Sequence, residues 1–232
     1  MGNVSLSFAE QVFVPLPCGA LFWPEKALLI VADLHFEKGS AFARRGWLLP
    51  PHDSLDTLQT LAATLAATGA RRVIALGDSF HDATGTDRMT AQARALLARI
   101  LHQTDWLWVT GNHDGDSGVA LGGRACADVS IDGIAFRHEA LPGTDAPEIS
   151  GHFHPKVRIP LRTGRRVSRR CLAITPQRMI LPAYGAYAGG LSVDDPAFAR
   201  ALGEQPDAIV ALADGLIRIA PRKRPPERKA AA

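Results

Sequence analysis

Three apolar runs in the first half of the chain each end abruptly in polar residues. Ala27 to Ala32 runs into Asp33-Leu34-His35, Val73 to Leu76 into Gly77-Asp78, and Trp106 to Val109 into Gly111-Asn112-His113-Asp114. Short continuous apolar runs of this kind predict strands buried on both faces. Between them the spacing becomes helical. From Ser54 to Thr68, Leu55, Leu58, Leu61, Ala62 and Leu65 share one stripe, and Gly69 is a stop signal. Thr90 to Leu101 repeats the pattern with Leu96, Leu97, Ile100 and Leu101. A loop through Gly39 and Pro50-Pro51 is expected after the first strand. Strand, helix, strand, helix, strand predicts a parallel sheet with crossover helices.

The second half changes character. Short runs separated by Gly, Pro and Asp predict strands at Asp128–Ile131, Ile134–Arg137, Val157–Leu161, Val167–Ile174, Arg178–Leu181, Ile209–Ala213 and Leu216–Ile219. Asp132-Gly133 and Asp214-Gly215 are hairpin-turn signals. This half reads as antiparallel sheet. The two halves together predict two packed sheets flanked by helices. Residues 1–220 are expected to form one domain, and the basic stretch 221–232, which lacks apolar periodicity, a disordered tail.

The polar residues at the strand ends carry the chemistry. Ligands of open α/β sheets bind beyond the carboxyl ends of the strands. Asp33 and His35 stand at i, i+2, which in extended backbone aims both side chains the same way, and His152 and His154 repeat that spacing. Gly77 allows a tight turn ahead of Asp78. Carboxylate and amide oxygens mixed with imidazoles, and no thiolate among them, suit Mn, Fe or Zn in a catalytic rather than a structural site. Two such ions about 3.5–4 Å apart would clamp a phosphate and supply hydroxide near neutral pH. Asp78, alone on the middle strand, is the natural bridging carboxylate. Asp33 and Asp78 are the only anionic ligands in the set, so two divalent ions would leave the site positive and favour phosphate substrates.

Composition narrows the setting. At 232 residues the chain can bury a sizeable core. No apolar stretch approaches the roughly 20 residues of a membrane span. The first residues have neither the cationic start nor the apolar core of a signal peptide, so a cytoplasmic location is expected. Cys18, Cys126 and Cys171 are odd in number and far apart, which reads as reduced, buried thiols. Neither a P-loop nor a Gly-x-Gly-x-x-Gly run occurs, so no nucleotide cofactor is suggested. Net charge is only +3, but no Asp or Glu occurs from Ile149 to Val193, a window holding Lys156, Arg158, Arg162, Arg165, Arg166, Arg169, Arg170 and Arg178. A one-signed stretch of this kind suits an anionic partner.

Asp33-x-His35, Gly77-Asp78, Gly111-Asn112-His113-Asp114 and Gly151-His152-x-His154, in this order, resemble the calcineurin-like metallophosphoesterases. The resemblance implies a four-layer αββα sandwich of α/β (α+β) class. It implies one metal held by Asp33, His35, Asp78 and His154, and another held by Asp78, Asn112, His152 and a further histidine. His138 is the only histidine between the last two motifs and follows an expected strand. By the same resemblance His113, paired with Asp114, is the general acid that protonates the leaving oxygen. His81 resembles a phosphate-contacting histidine of nuclease members; a partner that orients a ligand is the alternative. Arg44 and Arg45 could grip phosphate or form a solvated helix face. His52 and His102 are expected to be exposed without a role. Tyr184 and Tyr187 could stack bases, with core packing favoured for at least one.

Val31-Ala32-Asp33-Leu34-His35-Phe36-Glu37-Lys38-Gly39, Phe42-Ala43-Arg44-Arg45-Gly46, Leu49-Pro50-Pro51 and Leu181-Pro182-Ala183-Tyr184-Gly185-Ala186-Tyr187 look like the ligase-associated DNA damage response endonuclease subfamily. That likeness implies an endonuclease acting on DNA in repair, with DNA ligase and helicase as partners; of the metals the donor set suits, Mn is expected first, with Fe or Zn as alternatives. Two other readings remain open: an enzyme on a small nucleotide or nucleotide-sugar substrate, and a non-catalytic subunit of a repair complex.

Overall fold

The computed structural model describes residues 4–50, 52–112 and 118–221. Seven strands form one sheet in chain order: β1 (Leu6–Phe8), β2 (Gln11–Pro15), β3 (Leu21–Trp23), β4 (Leu28–Ala32), β5 (Arg72–Leu76), β6 (Asp105–Val109) and β7 (Arg124–Cys126). The strands β8 (Asp128–Ile131), β9 (Ile134–Arg137) and β10 (Glu148–Ser150) begin a second sheet. A separate hairpin, β11 (Lys156–Pro160) and β12 (Arg166–Arg170), follows. The second sheet is completed by β13 (Leu172–Ile174), β14 (Arg178–Ile180), β15 (Asp207–Ala211) and β16 (Leu216–Ile219), in the order β16-β15-β13-β14-β10-β9-β8. The helices are α1 (Lys38–Ala43), α2 (Asp53–Thr68), α3 (Gly85–Arg88), α4 (Ala91–Gln103) and α5 (Pro196–Leu202).

Side-chain parity along the strands sets the layers, because successive side chains point to opposite faces. On β4 and β5, Leu29, Val31, Val73 and Ala75 join a cluster with Leu58 and Leu61 of α2 and Leu97 and Ile100 of α4. Their neighbours Leu28, Ile30, Ile74 and Leu76 join another with Leu172, Met179 and Ile209 of the second sheet. Ala173, Ile180, Ala208 and Val210 point the other way, to a cluster with Phe198 and Leu202 of α5. Three clusters separate helix, sheet, sheet and helix, the four-layer arrangement expected from the sequence.

The predicted helices form at α2 and α4. Gly69 ends α2 in the left-handed conformation, and Thr90 caps α4 by accepting from the Ala93 amide at 3.2 Å. Several expectations need correction. The first sheet is parallel only from β4 to β7, because an antiparallel meander, β1 to β3, precedes it. The second is also mixed: β10 pairs parallel with both β9 and β14. Val167–Ile174 is not one strand. It breaks at Cys171, leaving β12 on the hairpin and β13 in the sheet. The expected loop after β4 contains the short helix α1. Cys171 is buried, but Cys18 and Cys126 are only half-buried, and all three thiols are free. The expected tail lies, beyond Pro221, outside the described residues. No described helix is long and apolar enough to cross a membrane.

Candidate metal centre

Backbone pairing between β4 and β5 continues past the strand ends. The Asp33 amide donates to the Gly77 carbonyl, His35 to Asp78 and Phe36 to Ser79, at 3.2, 2.9 and 2.8 Å. The His81 amide then donates to the Phe36 carbonyl at 3.0 Å. The two loops therefore run side by side, which brings Asp33 and His35 against Asp78 and His81. The second sheet reaches the same place from the ends of β9 and β10, where His138 and Gly151-His152 follow. The Glu148 carboxylate on β10 pairs with Arg137 of β9 at 3.2 Å and secures these two strands. Burial is the main influence on Glu148 and pushes its carboxyl above the ordinary range.

The sheets are tied to each other at the site. The Leu181 amide donates to Ser150 of β10 at 2.7 Å, and the Tyr184 amide to Ala32 of β4 at 2.8 Å. Gly185 fits because a Cβ there would lie 2.3 Å from the Leu34 carbonyl oxygen. Tyr184 itself is a core residue whose hydroxyl meets Thr64 at 3.3 Å, so it does not stack bases. Tyr187 is half-buried.

Among the described residues, six side chains converge in two groups: Asp33, His35 and His154, and Asp78, His138 and His152. Within each group the candidate ligand atoms lie within 4.8 Å of one another. The His35 and His154 Nε2 atoms are 3.2 Å apart, and His154 Nε2 is 3.5 Å from the Asp33 carboxylate. In the other group His152 Nδ1 is 3.0 Å from His138 Nε2, which is 3.5 Å from Asp78. Asp33 joins the groups, with an oxygen 3.8 Å from His138 Nδ1. Asp33, His35, Asp78 and His138 are buried, whereas His152 and His154 are partly open to solvent. Imidazole and carboxylate donors packed this closely, with no thiolate, form a set suited to two borderline divalent cations.

The backbone at these residues departs from the sequence expectation. Asp33, His35, Asp78, His152 and His154 all have positive φ, from 45° to 70°. The i, i+2 pairs converge through left-handed backbone, not through extended strand. For non-glycine residues that conformation is costly, and it persists only where the surroundings enforce it. The enforcement here is visible in the paired loops and in the His152 amide, which donates to both Asp33 carboxylate oxygens at 3.2 and 3.0 Å.

Asn112 is exposed, three residues past β6. The loop beside it is tight against the centre, because a Cβ on Gly111 would lie 2.2 Å from the Asp78 nitrogen. His113 and Asp114 lie outside the described residues. His81 sits beside the centre, its ring 6.0 Å from His35 and 5.6 Å from Phe42. Arg44 and Arg45 are exposed just after α1 and line a groove with Asp82 and Thr84. His52 and His102 are exposed, as expected.

Three features were not anticipated from sequence. Glu139 brings a carboxylate 3.9 Å from His152 Nε2; its position directly after His138 was the available signal. Trp47 stands 70% exposed in the loop after Arg44 and Arg45, and a tryptophan between Gly46 and the Pro50-Pro51 pair was the clue. The third is a polar brace. Buried Glu37 accepts from the Ser54 and Ser40 hydroxyls at 2.8 and 2.7 Å, and Ser40 accepts from Arg88 Nε at 2.9 Å. Arg88 also grips both oxygens of Asp82 at 2.8 Å, next to His81.

That grip holds the Asp82 carboxyl down at about 2, from an ordinary 3.8, with the Arg88 hydrogen bonds as the main cause and burial opposing. A depressed carboxyl stabilises the fold above its unfolded value and loses that contribution as pH falls through its folded value. Arg88→Ala is therefore expected to be less stable than wild type at neutral pH, with the gap narrowing between pH 3.8 and about 2. Urea titrations across that range would check this; a constant gap would place the stabilisation in the Ser40 contact instead.

No family model matches the sequence, and no curated protein does. Among solved structures the chain is similar to the Pseudomonas putida nuclease MPE, at 25% identity and a TM-score of 0.69, covering 89% of this chain and 95% of that one. The chain has the metallophosphoesterase fold. A second match is the E. coli phosphoesterase Yfce, at 16% identity and a TM-score of 0.42, over 71% of this chain and 83% of that one. In this metallophosphoesterase fold the two candidate metal groups lie at the strand ends, where ligands of open α/β sheets bind.

Proposed function

We propose that the chain is a metal-dependent phosphodiesterase that cuts nucleic acid, a DNA endonuclease of repair similar to the ligase-associated subfamily. The pair of facing Asp/His groups at the sheet ends carries this reading. Asp33, His35 and His154 would hold one ion; His138 and His152 would hold the other with Asn112; Asp78 would serve both. Bound divalent ions, Mn most readily, would polarise the phosphoryl group and activate water. The protein's own part is to fix geometry. The Asp33 carboxylate is oriented by the His152 amide, and His138 Nδ1 faces the Leu76 carbonyl at 3.2 Å, which leaves Nε2 directed at Asp78. His113, next to Asp114, would give its proton to the leaving oxygen. His81, Arg44 and Arg45 would contact substrate phosphate. The likeness to a solved nuclease over nearly the whole chain and the acid-free basic window favour a polynucleotide over a small diester.

Closed circular single-stranded DNA and bis(p-nitrophenyl) phosphate, each with Mn²⁺ and with EDTA, test the proposal. Metal-dependent cleavage of both is expected, since a circle offers no end to an exonuclease. Hydrolysis of the small diester beside an intact circle would overturn the endonuclease and leave a phosphodiesterase.

A further inference from the structure

The basic window folds into a hairpin that begins two residues after His154. Its register pairs Lys156 with Arg170, Arg158 with Ser168 and Pro160 with Arg166, while Val157 faces Arg169 and Ile159 faces Val167. Alternation separates two faces. Val157 and Ile159 pack into the cluster around Phe198. Lys156, Arg158, Arg166 and Arg170 share the other face.

Two cations directly opposite each other, as Lys156 and Arg170 are, cost a sheet stability. Among the described residues no ion pair to a carboxylate involves any of the four. Lys156 instead donates to the Ala188 carbonyl at 3.1 Å, and Arg170 to the Cys18 carbonyl. Those bonds aim the side chains without neutralising them. Both line a cleft with His154 and Ser168. Lys38, at the start of α1, belongs to the same field: burial, and then the Lys156 ammonium, hold it below the usual lysine range, with Asp53 opposing. Cations left without carboxylate partners beside the candidate metal centre are what a polyanion would complete.

We propose that the β11–β12 hairpin is the arm that guides the backbone of a single-stranded nucleic acid into the metal centre, with Lys156 and Arg170 at the mouth and Arg158 and Arg166 further out. This rests on the nucleic-acid reading above and names the surface that performs it. Cations two residues apart on one strand are spaced by about 7 Å, comparable to the step between phosphates of an extended single strand. Exposed Trp47 favours a single strand over a duplex, because unstacked bases offer faces to aromatic rings. The Trp47 amide donates to the Phe42 carbonyl at 3.1 Å, and the Phe42 ring neighbours His81, so the backbone that carries Trp47 is tied to a residue beside the centre.

The test is binding of a labelled oligothymidylate by fluorescence anisotropy over a range of salt, in EDTA so that nothing is cut. Arg158 and Arg166 are exposed, so Arg158→Ala/Arg166→Ala should fold normally. Loss of two phosphate contacts should lower the salt slope by about 1.4 and the affinity by roughly 10–30-fold at 0.1 M salt. Hydrolysis of bis(p-nitrophenyl) phosphate with Mn²⁺ should stay at the wild-type rate. Unchanged affinity and slope would overturn the arm, as would small-diester hydrolysis falling in step with binding. Equal weakening of equally tight duplex binding would overturn the single-strand assignment. Wild type that cuts the small diester and binds no oligonucleotide would overturn the arm while leaving phosphodiester chemistry intact.

Discussion

Asp78→Asn is expected to keep the fold and lose turnover. The side chain is buried, and asparagine has nearly its size and shape, so little packing is disturbed. The lost quantity is charge. Among the described residues Asp78 is the only carboxylate in its group, 3.5 Å from His138 Nε2. Partners that merely orient a metal ligand are worth roughly 10–100-fold in activity or metal affinity, and a ligand proposed to serve two ions should exceed that. The melting temperature should shift by a few degrees, on the order of 1 kcal/mol for a domain of this size. Metal analysis, a thermal melt and bis(p-nitrophenyl) phosphate kinetics on one preparation would separate these effects. Full turnover with the metal content unchanged would remove Asp78 from the centre.

The neighbouring substitution should fail differently. Gly77→Ala would place a Cβ 2.2 Å from His138 Nδ1 and 2.4 Å from its Cγ. His138 is buried and faces the Leu76 carbonyl, so it has little room to yield. Gly77 also has a φ of +68°. Left-handed backbone costs a side-chain-bearing residue about 1–2 kcal/mol, and overpacking about 1–3 kcal/mol more. The melting temperature should therefore fall by roughly 4–20 °C, with loss of activity. Gly69→Ala is the control, with a φ of +67° and nothing within 4 Å of the new Cβ. It should lose only the conformational part. Equal losses in the two variants would show that His138 does not constrain Gly77.

The parts of the fold that sequence disclosed are those where local chemistry and tertiary role agree. Asp132-Gly133 reads as a two-residue hairpin turn, and both residues have positive φ, at 50° and 78°. Ala9-Glu10 makes the same kind of turn between β1 and β2, with φ of 49° and 62°. Neither residue favours that conformation, so the meander that opens the first sheet gave no turn signal. Strand β10 is three residues long; residues 138–147 return the chain to lie parallel with β9, and its other parallel partner, β14, comes only after the basic hairpin and β13. No local pattern carries that information. At the centre, all six grouped side chains are ones that the motifs and the resemblance single out. Their route together, through five left-handed residues, had no signature, because neighbouring backbone and not residue type imposes it.

The amide of His152 has a consequence of its own. It belongs to one sheet's end, and the carboxylate it binds belongs to the other's. Any cations held at the centre would thus not be the sole clasp across the two halves. A protein latched in this way is expected to be emptied by a chelator and refilled without being unfolded between. Ions bound there would then be interchangeable parts, and one folded preparation, loaded in turn with Mn, Fe or Zn, would report what each contributes to the chemistry.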